Sequence, residues 1–186
     1  MRLISPDGSE LKLSIVGYES ASIDGIGGDE WLEIQILVKH PRGTWETTGP
    51  FLRTVEVGAL ATWFDAVAAE APMINRETFR ESGHPLPAGF PNLRLFDSME
   101  FMEPNLRLTL MERTDEYAII RVYFELEARP SWAHASGAGR EDLWVDLRAS
   151  AVDLRSASQS LRAQLSTFPD RASPIALPRN HVLFPA

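Results

Sequence analysis

The hydrophobic pattern of this chain changes period along its length, and the order of the periods limits what it can become. Apolar residues alternate over 3–53, recur at helical spacing from Val57 to Val67, alternate again over 93–149, and close on a helical stripe from Leu154 to Leu165. A period of two buries one face of a strand; a period near 3.6 buries one stripe of a helix. The order is therefore strands, helix, strands, helix. The intervening turns are of hairpin length, which makes neighbouring strands antiparallel. Residues 50–150 carry no repeated strand–helix–strand crossover, so a doubly wound sheet is not expected. The expectation is a single α+β domain over residues 1–168, a mostly antiparallel β-sheet with two main helices packed on its apolar face, and a Pro-rich tail over 169–186.

Individual elements follow from turn and cap chemistry. Pro6-Asp7-Gly8-Ser9 is a turn between Leu3-Ile4 and the run Leu11 to Tyr18. From Trp31 to His40, Leu32, Ile34, Ile36 and Val38 alternate with more polar residues, and Pro41-Arg42-Gly43 returns the chain into a strand around Thr44 to Thr48. Thr54 is the expected N-cap of the first helix, Glu56 suits its positive end, and Pro72 ends it. A helical turn is expected near Arg76 to Glu81 inside the Pro- and Gly-rich stretch 71–92, with strands at 93–97 and 99–103 after it. Tyr117 to Ala128 reads as the best strand, and Leu143 to Ala149 as another. Residues 129–141 read as a loop. Ser150 with Asp153 forms a capping box for the last helix.

Composition removes several function classes. The 186 residues include no cysteine, so disulfide scaffolds, thiolate zinc sites and cysteine nucleophiles are excluded. The net charge of −8 disfavours direct nucleic-acid binding, which needs cations facing phosphates. No apolar run reaches the length of a spanning helix, so no membrane partner is expected. Pro6-Asp7-Gly8 interrupts the first apolar run before a signal-peptide core, and a cytoplasmic chain is expected.

Motifs for chemistry are sparse. Gly25, Gly27 and Gly28 precede a strand, whereas a phosphate loop precedes a helix. Asp24 and Asp29 beside them lack calcium-loop spacing. His40, His84, His134 and His181 are scattered and show no zinc spacing, so neither a metal nor a cofactor is expected. On the expected strand 117–128, Glu125 and Glu127 point the same way, about 7 Å apart by strand geometry. Such a pair suits general acid–base work in a small hydrolase or transferase, a solvated face balanced by arginines, or a docking surface. The docking reading adds Glu33, Tyr123 and Asp146, with aromatic support from Trp31 or Trp132. Among the other tryptophans, Trp63 falls on the helix stripe and reads as core, while Trp45 and Trp144 fall at strand ends or on less apolar faces.

Several segments occur in a recognisable order. These are Trp31-Leu-Glu-Ile-Gln-Ile, the Gly43-Thr-Trp45 hairpin, the helix start Leu52-Arg-Thr-Val-Glu, Glu103-Pro104-Asn105-Leu106, Val122-Tyr-Phe-Glu125-Leu-Glu127 followed by Pro130-Ser-Trp132, and the closing helix Leu154 to Phe168. The order resembles that of the WapI-type bacterial immunity proteins over about residues 10–169. Residues 82–91 and the Pro-rich tail depart from it. The resemblance implies a non-catalytic cytoplasmic protein that binds and neutralises a toxin from a competing cell. The typical toxin of that family is the nuclease domain of a secreted or wall-associated protein. An acidic inhibitor suits a basic toxin domain. A generic protein-interaction module is the remaining alternative. Within Glu103-Pro104-Asn105 the reading is structural: Pro104 cannot donate to a ladder, and Asn105 can bond its own backbone to start a strand.

Overall fold

The computed structural model describes residues 1–20, 31–81, 96–134 and 143–171. Its first half is the expected hairpin series: β1 (Arg2–Ile4), β2 (Glu10–Tyr18), β3 (Trp31–His40) and β4 (Gly43–Arg53), each antiparallel to the next. Gly8 supplies the left-handed conformation that the first turn requires (φ +86°), and Asp7 Oδ1 accepts from the Ser9 N–H at 2.9 Å. The alternation does what a period of two demands. Leu11, Leu13 and Ile15 of β2 and Leu32, Ile34, Ile36 and Val38 of β3 are all buried on one face.

Helix α1 (Thr54–Ala68) leaves β4 directly. Its N-cap is Arg53, one residue before the expected Thr54, because the buried Glu56 carboxylate reaches back to the Arg53 N–H at 2.8 Å. The helix ends before Pro72. Glu70 adopts φ +55°, and the Glu70 and Ala71 amides donate to the Val67 and Ala66 carbonyls, a Schellman closure. The short α2 (Arg76–Glu81) lies where expected.

The second half holds β5 (Ser98–Glu100), β6 (Leu106–Arg113), β7 (Ala118–Phe124) and β8 (Trp144–Ala149), again antiparallel in chain order. The single-turn α3 (Ser131–His134) lies in what reads as loop from the sequence. Helix α4 (Ala151–Thr167) starts on the predicted capping box, in which Ser150 Oγ accepts from the Asp153 N–H. The α+β antiparallel class holds, but the strands divide into two four-stranded sheets rather than one. Alternation says which face of a strand is buried; it carries no information on which strands pair across an intervening helix.

One core joins the parts. Helices α1 and α4 pack on each other, and α4 also meets β1 and β8. Leu60, Trp63 and Phe64 from α1 meet Leu154 and Leu161 from α4 and the inner faces of both sheets in one cluster. Polar bonds fix the joints: Trp63 Nε1 donates to the Phe96 carbonyl at 2.9 Å, and the Arg148 N–H to Ser5 Oγ. No helix among the described residues is long and apolar enough to cross a membrane. Residues 21–30, 82–95 and 135–142 and the tail beyond Arg171 lie outside the described residues; at the tail's start, Tyr18 Oη donates to the Pro169 carbonyl.

Candidate functional site

The site begins with a turn that the alternation pattern conceals. Strand β7 stops at Phe124, and Leu126–Ala128 form a single 3-10 turn, so the expected strand to Ala128 is four residues too long. Asn105 makes the turn. Its backbone carbonyl accepts from the Glu125 N–H at 2.9 Å, and its side-chain Oδ1 from the Glu127 N–H at 3.1 Å. The buried Asn105 thus bonds the chain coming out of β7, not its own backbone as expected. Leu126 is held at φ +45°, a conformation costing a non-glycine residue about 1–2 kcal/mol. The consequence is that Glu125 turns inward and is buried, while Glu127 turns out to solvent. They are not a pair on one strand face.

Glu127 enters a crevice of about 490 Å³. One wall is the stretch Thr48–Phe51 of β4, the terminal strand of its sheet; the opposite wall is Glu103, Asn105 and Glu127. Trp31 and Glu19 complete the lining, and no arginine or lysine appears among the described lining residues. The crevice is positioned from both sides. Trp45 Nε1 donates to the Ala128 carbonyl at 3.1 Å and Thr47 Oγ1 to the Glu127 carbonyl at 3.2 Å, tying β4 to the turn. Glu56 Oε1 accepts from the Met102 N–H at 2.7 Å, fixing the chain just before Glu103.

Glu125 lines a different hollow, a groove of about 710 Å³ between α2 and the outer face of the second sheet. The acids there have cations beside them. Glu100 receives Arg80 at 2.5 Å and Arg76 at 3.4 Å, and Asp97 accepts from the Arg76 N–H and from Asn75 Nδ2. Burial lowers the pKa of the Arg76 guanidinium from its ordinary value. Because Glu125 and Glu127 line separate cavities, they do not converge on one substrate as a catalytic carboxylate pair must. Among the described residues no three His, Asp or Glu side chains gather as metal ligands. His40 Nδ1 accepts from the Arg42 N–H within the β3–β4 turn.

Comparison with known families matches the Immunity protein WapI-like family over residues 2–169. The chain belongs to the WapI-like immunity protein family. No curated protein and no solved structure matches it. Members of an immunity family protect against a toxin, so a toxin-neutralising role and a cognate toxin partner come with the membership.

The remaining residues singled out in this WapI-like chain fall on other surfaces. Glu33 is half-buried on the outer face of the first sheet, beside Pro50 across the β3–β4 ladder. Tyr123 and Asp146 share the outer face of the second sheet, where the row Glu100–Arg107–Tyr123–Trp144 runs across all four strands. Arg107 lies 3.7 Å over the Tyr123 ring, and Asp146 takes a two-pronged bond from Arg121 at 2.7 and 2.8 Å. That bond holds the Arg121 guanidinium above its ordinary pKa. Trp132 stands edge-on to Trp45 with ring centroids 6.0 Å apart, under Arg42. Trp45 itself, near the start of β4, is buried in the core. The structure therefore brings Trp31 and Glu127 together at the crevice and Tyr123 and Glu125 together at the groove, with Asp146 on the same sheet face as Tyr123, and leaves Glu33 and Trp132 apart from both hollows. Glu19 at the crevice has no pattern to announce it. Glu103 had one signal, its place before Pro104-Asn105 in the family segment.

Proposed function

We propose that this protein protects a cell by binding a basic, nuclease-type domain of a secreted or wall-associated toxin in the cytoplasm and blocking it without turnover. Membership of the immunity family over residues 2–169 carries the reading. The net charge of −8 supports the choice of a basic partner, since an enzyme that cleaves nucleic acid must itself face phosphates. Opposite charge raises the encounter rate and disfavours acidic competitors. Trp31 and Glu127 at the crevice are the central contacts. Glu33, Tyr123, Asp146 and Trp132 supply outlying ones, and the buried Glu125 acts through the turn it anchors. The separation of Glu125 from Glu127 supports a non-catalytic reading over a hydrolase or transferase.

The test is protection. The toxic domain encoded beside this gene, expressed alone, arrests growth; co-expression of this chain restores it, and the two copurify. Continued arrest in the presence of well-folded protein overturns the proposal.

A further inference from the structure

The crevice beside β4 has a chemistry that specifies what fills it. β4 is the terminal strand of its sheet, and among the described residues nothing adds a backbone hydrogen bond to its outer side. Across from that edge, Glu103 and Glu127 are exposed, and neither takes part in an ion pair among the described residues. Their chain neighbours Met102 and Leu126 are exposed as well, at 64% and 43%, and the Arg53 guanidinium reaches Met102 Sδ at 4.0 Å. The half-buried indole of Trp31 lines the same hollow.

We infer that this crevice receives an extended segment of the toxin bearing arginine or lysine. The segment runs beside β4 with its cations against Glu103 and Glu127, and its aliphatic stems lie on Trp31 and Leu126. The inference deepens the proposed function and rests on it. The volume falls in the range of about 300–1,000 Å³ that holds a ligand or a short stretch of chain. Glu103 and Glu127, with no arginine or lysine among the described lining residues, select positive charge, and arginine or lysine stems cover apolar surface while their heads stay in water. Pro50 lies in the β4 wall and has no N–H to give. It interrupts any ladder along this edge, so recognition falls on side chains rather than on strand addition. Binding is accordingly salt-sensitive.

The experiment uses the full-length protein and a capped octapeptide of alternating arginine and threonine, followed by calorimetry and by the amide NMR shifts of Thr48 and Gly49. Saturable binding that moves those amides is expected. The double variant Glu103→Lys/Glu127→Lys weakens it at least tenfold. The control Asp115→Lys/Glu116→Lys, the same charge change on the exposed β6–β7 turn, weakens it no more than twofold. Equal losses in the two variants, or unmoved amides, overturn the inference. Spermidine binding as tightly as the peptide also overturns it, since the site would then select a free polyamine. Circular dichroism and melting curves confirm that both variants fold. With the toxic domain itself, unchanged capture and protection by the Glu103/Glu127 variant sinks the crevice while the proposed function stands. Failure of the unaltered protein to protect sinks both.

Discussion

The groove beside α2 and the crevice beside β4 are both lined by carboxylates, and they use them in opposite ways. In the groove, Glu100 is held between Arg76 and Arg80, Asp97 caps the start of α2, and Arg76 lies 5.0 Å over the Phe96 ring. Every one of those contacts is internal, and their work is to fasten a short helix to a sheet edge. In the crevice no cation lines the cavity among the described residues. The backbone on either side is fastened by Glu56, Asn105 and Trp45, which leaves the rim carboxylates unspent. An acid neutralised within the fold contributes to stability. In the proposed reading, an acid left facing solvent beside a preformed hollow serves recognition, because the backbone that carries it is already positioned.

Substitutions can break or sharpen that contrast. The largest effect is expected at Glu56, whose carboxylate is buried and accepts two backbone amides. Glu56→Ala costs about 3 kcal/mol of unfolding free energy, read by urea titration, since two charge-assisted bonds are lost and two donors stranded. Asn105→Ala comes next, at about 2 kcal/mol for a lost buried acceptor, and it also weakens toxin capture by releasing Glu127. Glu127→Gln by comparison lowers capture and leaves the unfolding midpoint in place; a change in both would mean that Glu127 is structural. Trp31→Ala removes about 1–2 kcal/mol of binding with a smaller change in stability, by analogy with aromatic anchors at interface centres.

Glu10 offers a pH test on the neutralised side of the comparison. Its buried carboxylate is bonded by Arg2 and Lys39, each at 2.6 Å, and these partners hold its pKa down to about 2 from the ordinary 4.5. The folded form therefore keeps this stabilisation in full above about 4.5 and loses it as the pH falls toward 2. The contribution is about 1–2 kcal/mol, discounted because Arg2 and Lys39 are half exposed. Glu10→Gln should flatten the denaturation profile between those pH values, and parallel profiles for the two proteins would refute the coupling. The smallest effect is expected at Glu100→Gln, under about 1 kcal/mol, because its partner Arg80 is largely exposed.

Local pattern carried far along this chain. The β1–β2 and β3–β4 hairpins, α1, α2, β8 and the capping box of α4 all appear where periodicity and turn chemistry put them. The misreadings share a cause. Leu126 extends the alternation of β7, and only Asn105, far upstream in the chain, bends it into a turn. Nor does local pattern place the Ala128 carbonyl, far along the chain, on the indole N–H of Trp45.

Hydrophobic spacing and the residues at caps and turns act over a few positions, so the amino-acid order alone determined the main strands and helices, the antiparallel class and the family likeness. Tertiary structure decided the division into two sheets, the inward turn of Glu125 and the outward turn of Glu127. It also decided the meeting of Glu19, Trp31, Pro50, Glu103 and Glu127 around one hollow. Those outcomes depend on which distant backbone donors and acceptors find one another once the core closes, and no local period encodes that pairing.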